Sequence, residues 1–168
     1  MSLPQELQGR QSHDAVQTLS WMIGRWRATT GECSYPTIPT MTYAEEIEFR
    51  SLGQPLLNYT AFSWHPEKKA PMHMESGFLR TNPGTNKLAF LVAHNFGLTS
   101  LEEGEVNDKE IKLTSSNISR MSFAKDPAVM KTERIFRLNG DSLEQVVYME
   151  TSSQPMTLHL KVVYSKVS

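Results

Sequence analysis

The chain carries one cysteine, Cys33, and five histidines, at positions 13, 65, 73, 94 and 159. A lone cysteine rules out an intramolecular disulfide, a Cys-based zinc site and an iron–sulfur cluster. Imidazoles are then the natural donors for a transition metal or haem. His13 lies in a polar arm and His65 precedes Pro66 in a turn, so both read as surface residues. His94 closes the apolar run Phe90-Leu91-Val92-Ala93 and reads as a strand-end histidine that hydrogen-bonds locally. His73 stands between Met72 and Met74 at the entry to a strand. Methionine packs softly and adaptably, so this segment suits either an ordinary core or a pocket for a flat apolar ligand. His159 lies in the final strand. Alternation there puts Met156, Leu158, Leu160, Val162 and Tyr164 on one face, and Thr157, His159, Lys161 and Val163 on the other. His159 points to solvent if only the apolar face is buried, and into a cavity if the mixed face lines one.

Other catalytic signatures are missing. There is no phosphate-binding Gly-rich loop, no dinucleotide fingerprint and no G-x-S-x-G elbow. Glu45-Glu46 and Glu102-Glu103 are adjacent acids. Neighbours on a strand face opposite ways, so each pair reads as solvated rather than as an acid/base couple. Lys plus Arg number 17 and Asp plus Glu 18, a net charge of −1. That balance argues against a nucleic-acid stripe and against a polybasic membrane surface. The N-terminus lacks an apolar export segment, and no run approaches the ~18 apolar residues of a membrane helix. A cytoplasmic protein is expected, with a nuclear location also compatible.

The elements that must position these residues are mostly strands. Asp14 is expected to cap a short helix whose Val16, Leu19 and Ile23 share a face, closed by Gly24. Beyond Trp26, turn signals recur at short intervals, among them Asn82-Pro83-Gly84, Asn107-Asp108 and Asn139-Gly140. Asn139-Gly140 suits the type I′ hairpin turn, which needs positive φ. Between turns lie short alternating segments such as Glu110-Ile111-Lys112-Leu113-Thr114. The pattern implies an all-β antiparallel sandwich or barrel, and closure would leave the last strand without a bare edge. At 168 residues the chain is expected to form one domain with a real core. The division expected is an arm or short helix over 1–18 and a barrel over 19–168. Trp26, in Gly24-Arg25-Trp26, reads as structural.

Several segments together resemble the nitrobindin family. They are Leu19-Ser20-Trp21-Met22-Ile23-Gly24-Arg25-Trp26, Tyr35-Pro36-Thr37-Ile38, Gly53-Gln54-Pro55, Met72-His73, Glu75-Ser76-Gly77-Phe78-Leu79-Arg80, Glu102-Glu103-Gly104 and His159-Leu160. The likeness runs from about Leu19 to Val167. It is nearest to the animal form, the C-terminal domain of a THAP-type zinc-finger protein; one cysteine cannot build that finger, so none is expected here. Ala28 and Thr30 stand where many members carry further glycines. The resemblance implies a ten-stranded antiparallel barrel like the lipocalins and fatty-acid-binding proteins. It implies haem b in the barrel mouth with His159 as its axial ligand, and a wet, polar mouth favours ferric iron. It also implies Thr37, Met72, His73 and Met149 as haem-contacting positions. The activity implied is isomerisation of peroxynitrite to nitrate with reversible binding of nitric oxide, and a homodimer is compatible with it. A competing expectation is a haem-free carrier of fatty acids or other small apolar ligands. Such a carrier would clamp a carboxylate with a buried arginine, for which Arg120, Arg134 and Arg137 are available.

Overall fold

The computed structural model describes residues 3–168. Two 3₁₀ helices, Gln5–Leu7 and Asp14–Met22, precede ten strands. These are β1 (Gly24–Tyr35), β2 (Ile38–Ser51), β3 (Leu56–Trp64), β4 (Pro71–Thr81), β5 (Lys87–His94), β6 (Leu98–Asn107), β7 (Glu110–Arg120), β8 (Val129–Asn139), β9 (Ser142–Thr151) and β10 (Gln154–Lys166). Each strand pairs antiparallel with the next, and β10 pairs with β1, so the sheet closes as an up-and-down barrel. Closure gives the C-terminal strand a partner on both sides.

Period-two alternation decides which residues enter the barrel. Strand β5 sends Leu88, Phe90, Val92 and His94 inward, and β9 sends Leu143, Gln145, Val147 and Met149. One end of the interior is packed solid. Phe49, Tyr59, Phe90 and Phe136 meet there at centroid separations of 4.9–6.3 Å, within the range of favourable aromatic pairs.

The longer helix closes this end. It is a 3₁₀ helix, so its buried face is Val16, Leu19 and Met22, three residues apart, rather than the expected set that included Ile23. His13, not Asp14, is its cap: the His13 side chain accepts a hydrogen bond from the Ala15 amide. Gly24 opens β1. Trp26 is buried against the helix end and donates its indole N–H to the Met22 carbonyl at 2.8 Å. The helix spans the expected boundary between residues 18 and 19 and contributes to the same core as the strands. The β8–β9 connection is also shifted from expectation. Asn139 pairs with Ser142, so the turn is Gly140-Asp141, and of these Gly140 alone has positive φ.

The other end of the barrel stays open, and three local features shape it. Strand β10 is bulged against β9: Leu158 opposes Tyr148 while Leu160 opposes Val147, leaving His159 as the extra residue. Strand β1 is irregular between Cys33 and Tyr35, next to that bulge. Gly77 lets β4 and β5 approach, because a Cβ there would strike the Leu91 carbonyl. That close approach sits two residues along β4 from Glu75, which pairs with His94 across the ladder.

Candidate functional site

A cavity of about 350 Å³ occupies the open end. That lies at the lower end of the usual range for small-molecule sites. Its walls are largely aliphatic and thioether, including Ile38, Met41, Met72, Val147, Met149 and Leu160. Polar groups converge at three places: on β10, across β4, β5, β6 and β8, and at Glu45 on β2.

On β10 the bulge resolves the ambiguity of His159. Leu160, Val162 and Tyr164 face inward as the apolar stripe of the strand. A regular strand would then turn His159 outward. The extra residue reverses the alternation, so His159 and Leu160 both line the cavity. The imidazole is fixed in place. Its Nδ1 lies 3.3 Å from the Ser34 carbonyl oxygen, and the Tyr35 ring meets it edge-on at 5.5 Å. A carbonyl only accepts, so Nδ1 carries the proton and Nε2 holds the lone pair. Among the described residues Nε2 makes no hydrogen bond. Burial lowers the pKa of His159, against the opposing pull of the Ser34 hydrogen bond. The site therefore presents a neutral imidazole nitrogen in an apolar cavity. That donor set fits a flat, mostly apolar macrocycle whose metal takes one axial nitrogen. The adjacent Cys33 is a protonated thiol, its pKa raised by burial.

Across the cavity stands a charged layer. Arg134 is 3% exposed and is gripped by two carboxylates. Its Nε donates to Glu102 Oε2 at 3.1 Å, and its Nη1 to Glu75 Oε2 at 3.2 Å. Beneath it, the guanidinium lies 5.3 Å from the Phe90 ring, which joins this layer to the aromatic core. Tyr59 also donates to Glu75 Oε2, at 2.8 Å. Burial alone would raise the Glu75 pKa. Arg134, helped by His94 and His73, outweighs it and holds the carboxyl well below the usual range. His73 and His94 complete the layer: His73 Nε2 is 3.1 Å from His94 Nδ1, and His94 Nε2 is 3.2 Å from Ser100 Oγ. Burial pushes His73 down to about 4, with Glu75 pulling the other way, so it is neutral near pH 7.

Glu45 forms a separate acidic spot in the wall. Tyr164 Oη lies 2.6 Å from Glu45 Oε2 and 2.7 Å from Gln145 Oε1. Burial raises Glu45 to about 7; Tyr164 opposes the rise and Glu75 adds to it. The folded chain therefore holds a proton between about pH 4.5 and 7 that the unfolded chain has already released. Stability falls as pH rises through that window and levels off above it. Glu45→Gln keeps the shape and removes the titration. Denaturant unfolding at pH 5 and pH 8 is expected to show the variant gaining on the wild type by on the order of 2 kcal/mol between the two.

Comparison with known proteins matches residues 15–166 to the model of the THAP4-like, heme-binding beta-barrel domain. The chain belongs to this family, the nitrobindins. It is 46% identical to "Peroxynitrite isomerase THAP4" of Rattus norvegicus over 99% of its own length, and covers 30% of that longer protein. It is 37% identical to "Peroxynitrite isomerase Rv2717c" of Arabidopsis thaliana, covering 92% of this chain and 90% of that one. The crystal structure of Rv2717c from M. tuberculosis superposes with a TM-score of 0.85 at 31% identity, covering 94% of this chain and all of that one.

Within this nitrobindin barrel, four of the five residues singled out from the sequence meet in the cavity: Met72, His73, Met149 and His159. Thr37 does not join them. It stands exposed on the β1–β2 turn, and its neighbour Ile38 reaches the cavity instead. His13 and His65 serve as local caps, His65 Nδ1 accepting from the Lys68 amide at 3.2 Å. His94 ends β5 and meets the nearby Ser100, as expected, and it also faces the cavity and reaches His73 across the ladder. One acid of each adjacent pair departs from the solvated reading. Glu45 and Glu102 point inward, and Glu102 is fully buried; Glu46 faces out toward Arg25 at 3.8 Å. Alternation carried the signal for these. His73 and Glu75 share a face of β4, as do Ser100 and Glu102 on β6, but their partner Arg134 is remote in sequence.

Proposed function

We infer that the chain binds haem b through His159 and, in the ferric state, isomerises peroxynitrite to nitrate and binds nitric oxide reversibly. The observation that carries this reading is the bulged His159, its Nδ1 tied to the Ser34 carbonyl and its Nε2 left as a bare donor at an apolar cavity. Relatives named peroxynitrite isomerase support the activity, among them one that this chain spans almost end to end.

Bound haem would be held by His159 and would supply a Lewis-acidic iron for peroxynitrite. The chain's own residues do the rest. The Ser34 carbonyl fixes the ring plane and tautomer of His159. Met72 and Met149 offer apolar walls for the macrocycle. His73 is neutral near pH 7, and Phe96 stacks on it at 4.8 Å, so this side chain adds no positive charge to the wall. Peroxynitrite and nitrate are isomers, so the reaction needs no outside electron or proton.

The carrier reading is weaker on one observation. Arg134 is indeed buried, but Glu75 and Glu102 already occupy it, and Arg120 and Arg137 lie in surface ion pairs. A fatty-acid carboxylate would have to displace one of those partners.

The test is peroxynitrite decay followed by stopped flow with hemin-loaded protein, with nitrate and nitrite quantified afterwards. Decay that accelerates in proportion to holoprotein, with a raised nitrate fraction, is expected. Decay at the rate of buffer alone would overturn the activity.

A further inference from the structure

Three groups on the wall facing the cavity form a compact ligand set, of which the haem reading uses only the His73 ring, as a wall contact. We propose that His73, His94 and Glu75 bind a divalent first-row transition ion, of the Zn²⁺, Fe²⁺ or Co²⁺ class, at a site distinct from His159.

The geometry carries it. One ligand atom from each residue lies within 4.8 Å of the other two. The edges of the triangle are 3.1 Å between His73 Nε2 and His94 Nδ1, 3.3 Å between His94 Nδ1 and Glu75 Oε1, and 3.7 Å between His73 Nε2 and Glu75 Oε1. Bonds of about 2.0–2.2 Å to such donors place neighbouring ligands of a tetrahedral ion roughly 3.4 Å apart. The observed edges bracket that distance, so an ion fits with small side-chain movements. Three protein ligands leave a fourth position open, the pattern of reactive rather than purely structural sites.

The surroundings are prepared for it. The far nitrogen of His94 reaches Ser100 Oγ at 3.2 Å, and that hydroxyl donates to Glu102 Oε1 at 3.1 Å. Metal-bound imidazoles commonly hand their other N–H to such a partner. The His73 backbone is clamped by Ser63, whose hydroxyl accepts from the His73 amide at 2.9 Å and donates to its carbonyl at 3.0 Å. Charge also favours a cation. Glu75 and Glu102 set two carboxylates against the single guanidinium of Arg134, which leaves one formal negative charge uncompensated. Arg134 Nη2 touches Glu75 Oε1 at 3.3 Å, and a carboxylate oxygen has a second lone pair for the ion.

The test titrates the haem-free 168-residue chain with Co²⁺, reading its visible ligand-field bands, and then displaces it with Zn²⁺. One equivalent of Co²⁺ is expected to bind with bands of four- or five-coordinate cobalt. His94→Gln should weaken binding by about 100-fold or more, and Ser100→Ala by roughly 10-fold. His159→Ala should leave Co²⁺ binding unchanged while it removes tight hemin binding, so failure of one site is told apart from failure of the other. His73→Gln is the alternative if His94→Gln does not fold. No cobalt uptake by the folded wild type, full uptake by a folded His94→Gln or His73→Gln variant, or loss in His159→Ala would each overturn the site.

Discussion

Replacing Arg134 by methionine is expected to destabilise the barrel by about 3–5 kcal/mol at pH 7.5, the usual cost of stripping one partner from a buried ion pair. For a domain of this size that is a fall in melting temperature on the order of 10 °C. The volume change is modest and methionine adapts well, so packing loss is the smaller part. The larger part is electrostatic. Glu102 is fully buried and Glu75 nearly so, and without Arg134 both carboxylates face a low-dielectric interior uncompensated. Without Arg134, burial dominates at Glu75, which lifts its folded-state pKa above the unfolded one and lets it take up a proton. A group shifted that way gives most stability at low pH and loses it as pH rises. The deficit of the variant should therefore shrink between pH 7.5 and pH 5. Urea unfolding at the two pH values measures it. A variant within 1 kcal/mol of wild type at pH 7.5 would mean that this cluster is not the paired, ionised layer described above.

The second large effect is on haem. His159→Ala is expected to weaken hemin binding by about 100-fold or more, beyond the range seen when only an outer hydrogen-bond partner of a ligand is lost. His159 is the residue in the cavity whose imidazole is both neutral and oriented by a backbone carbonyl. Apolar walls would remain, so weak uptake is expected to persist without the wild-type Soret position. The cavity should not collapse, because Leu160 and Tyr35 still flank the site and the barrel closure does not depend on the imidazole. Hemin titration of both proteins, with thermal unfolding of the apo forms as a control, separates a ligand effect from a folding defect.

Much of this arrangement was legible in the sequence because alternation is local. Leu160, Val162 and Tyr164 read as an apolar stripe, and they do face inward. The closed, ten-stranded fold followed from resemblance together with evenly spaced turns, and the structure agrees. What stayed hidden depends on pairing between strands. The bulge that re-aims His159 exists only in the register of β10 against β9, so alternation within β10 could not reveal it. Ser34 lies 125 residues away from His159, and nothing local marks its carbonyl as the partner. Glu102 reads as solvated because adjacent acids on a strand face opposite ways and form no couple, yet Arg134, 32 residues on, draws it inside. The 3₁₀ helix shifted the buried face from Ile23 to Met22 because its period is three rather than 3.6.

The central claim is that His159 Nε2 is the axial donor, and chemical rescue tests it most directly. His159→Gly removes the donor and leaves a space in which free imidazole can stand in. Hemin-loaded His159→Gly is expected to lose the wild-type absorption spectrum and to regain it as imidazole is added. A His159→Gly protein whose hemin spectrum already matches wild type without imidazole would contradict the claim.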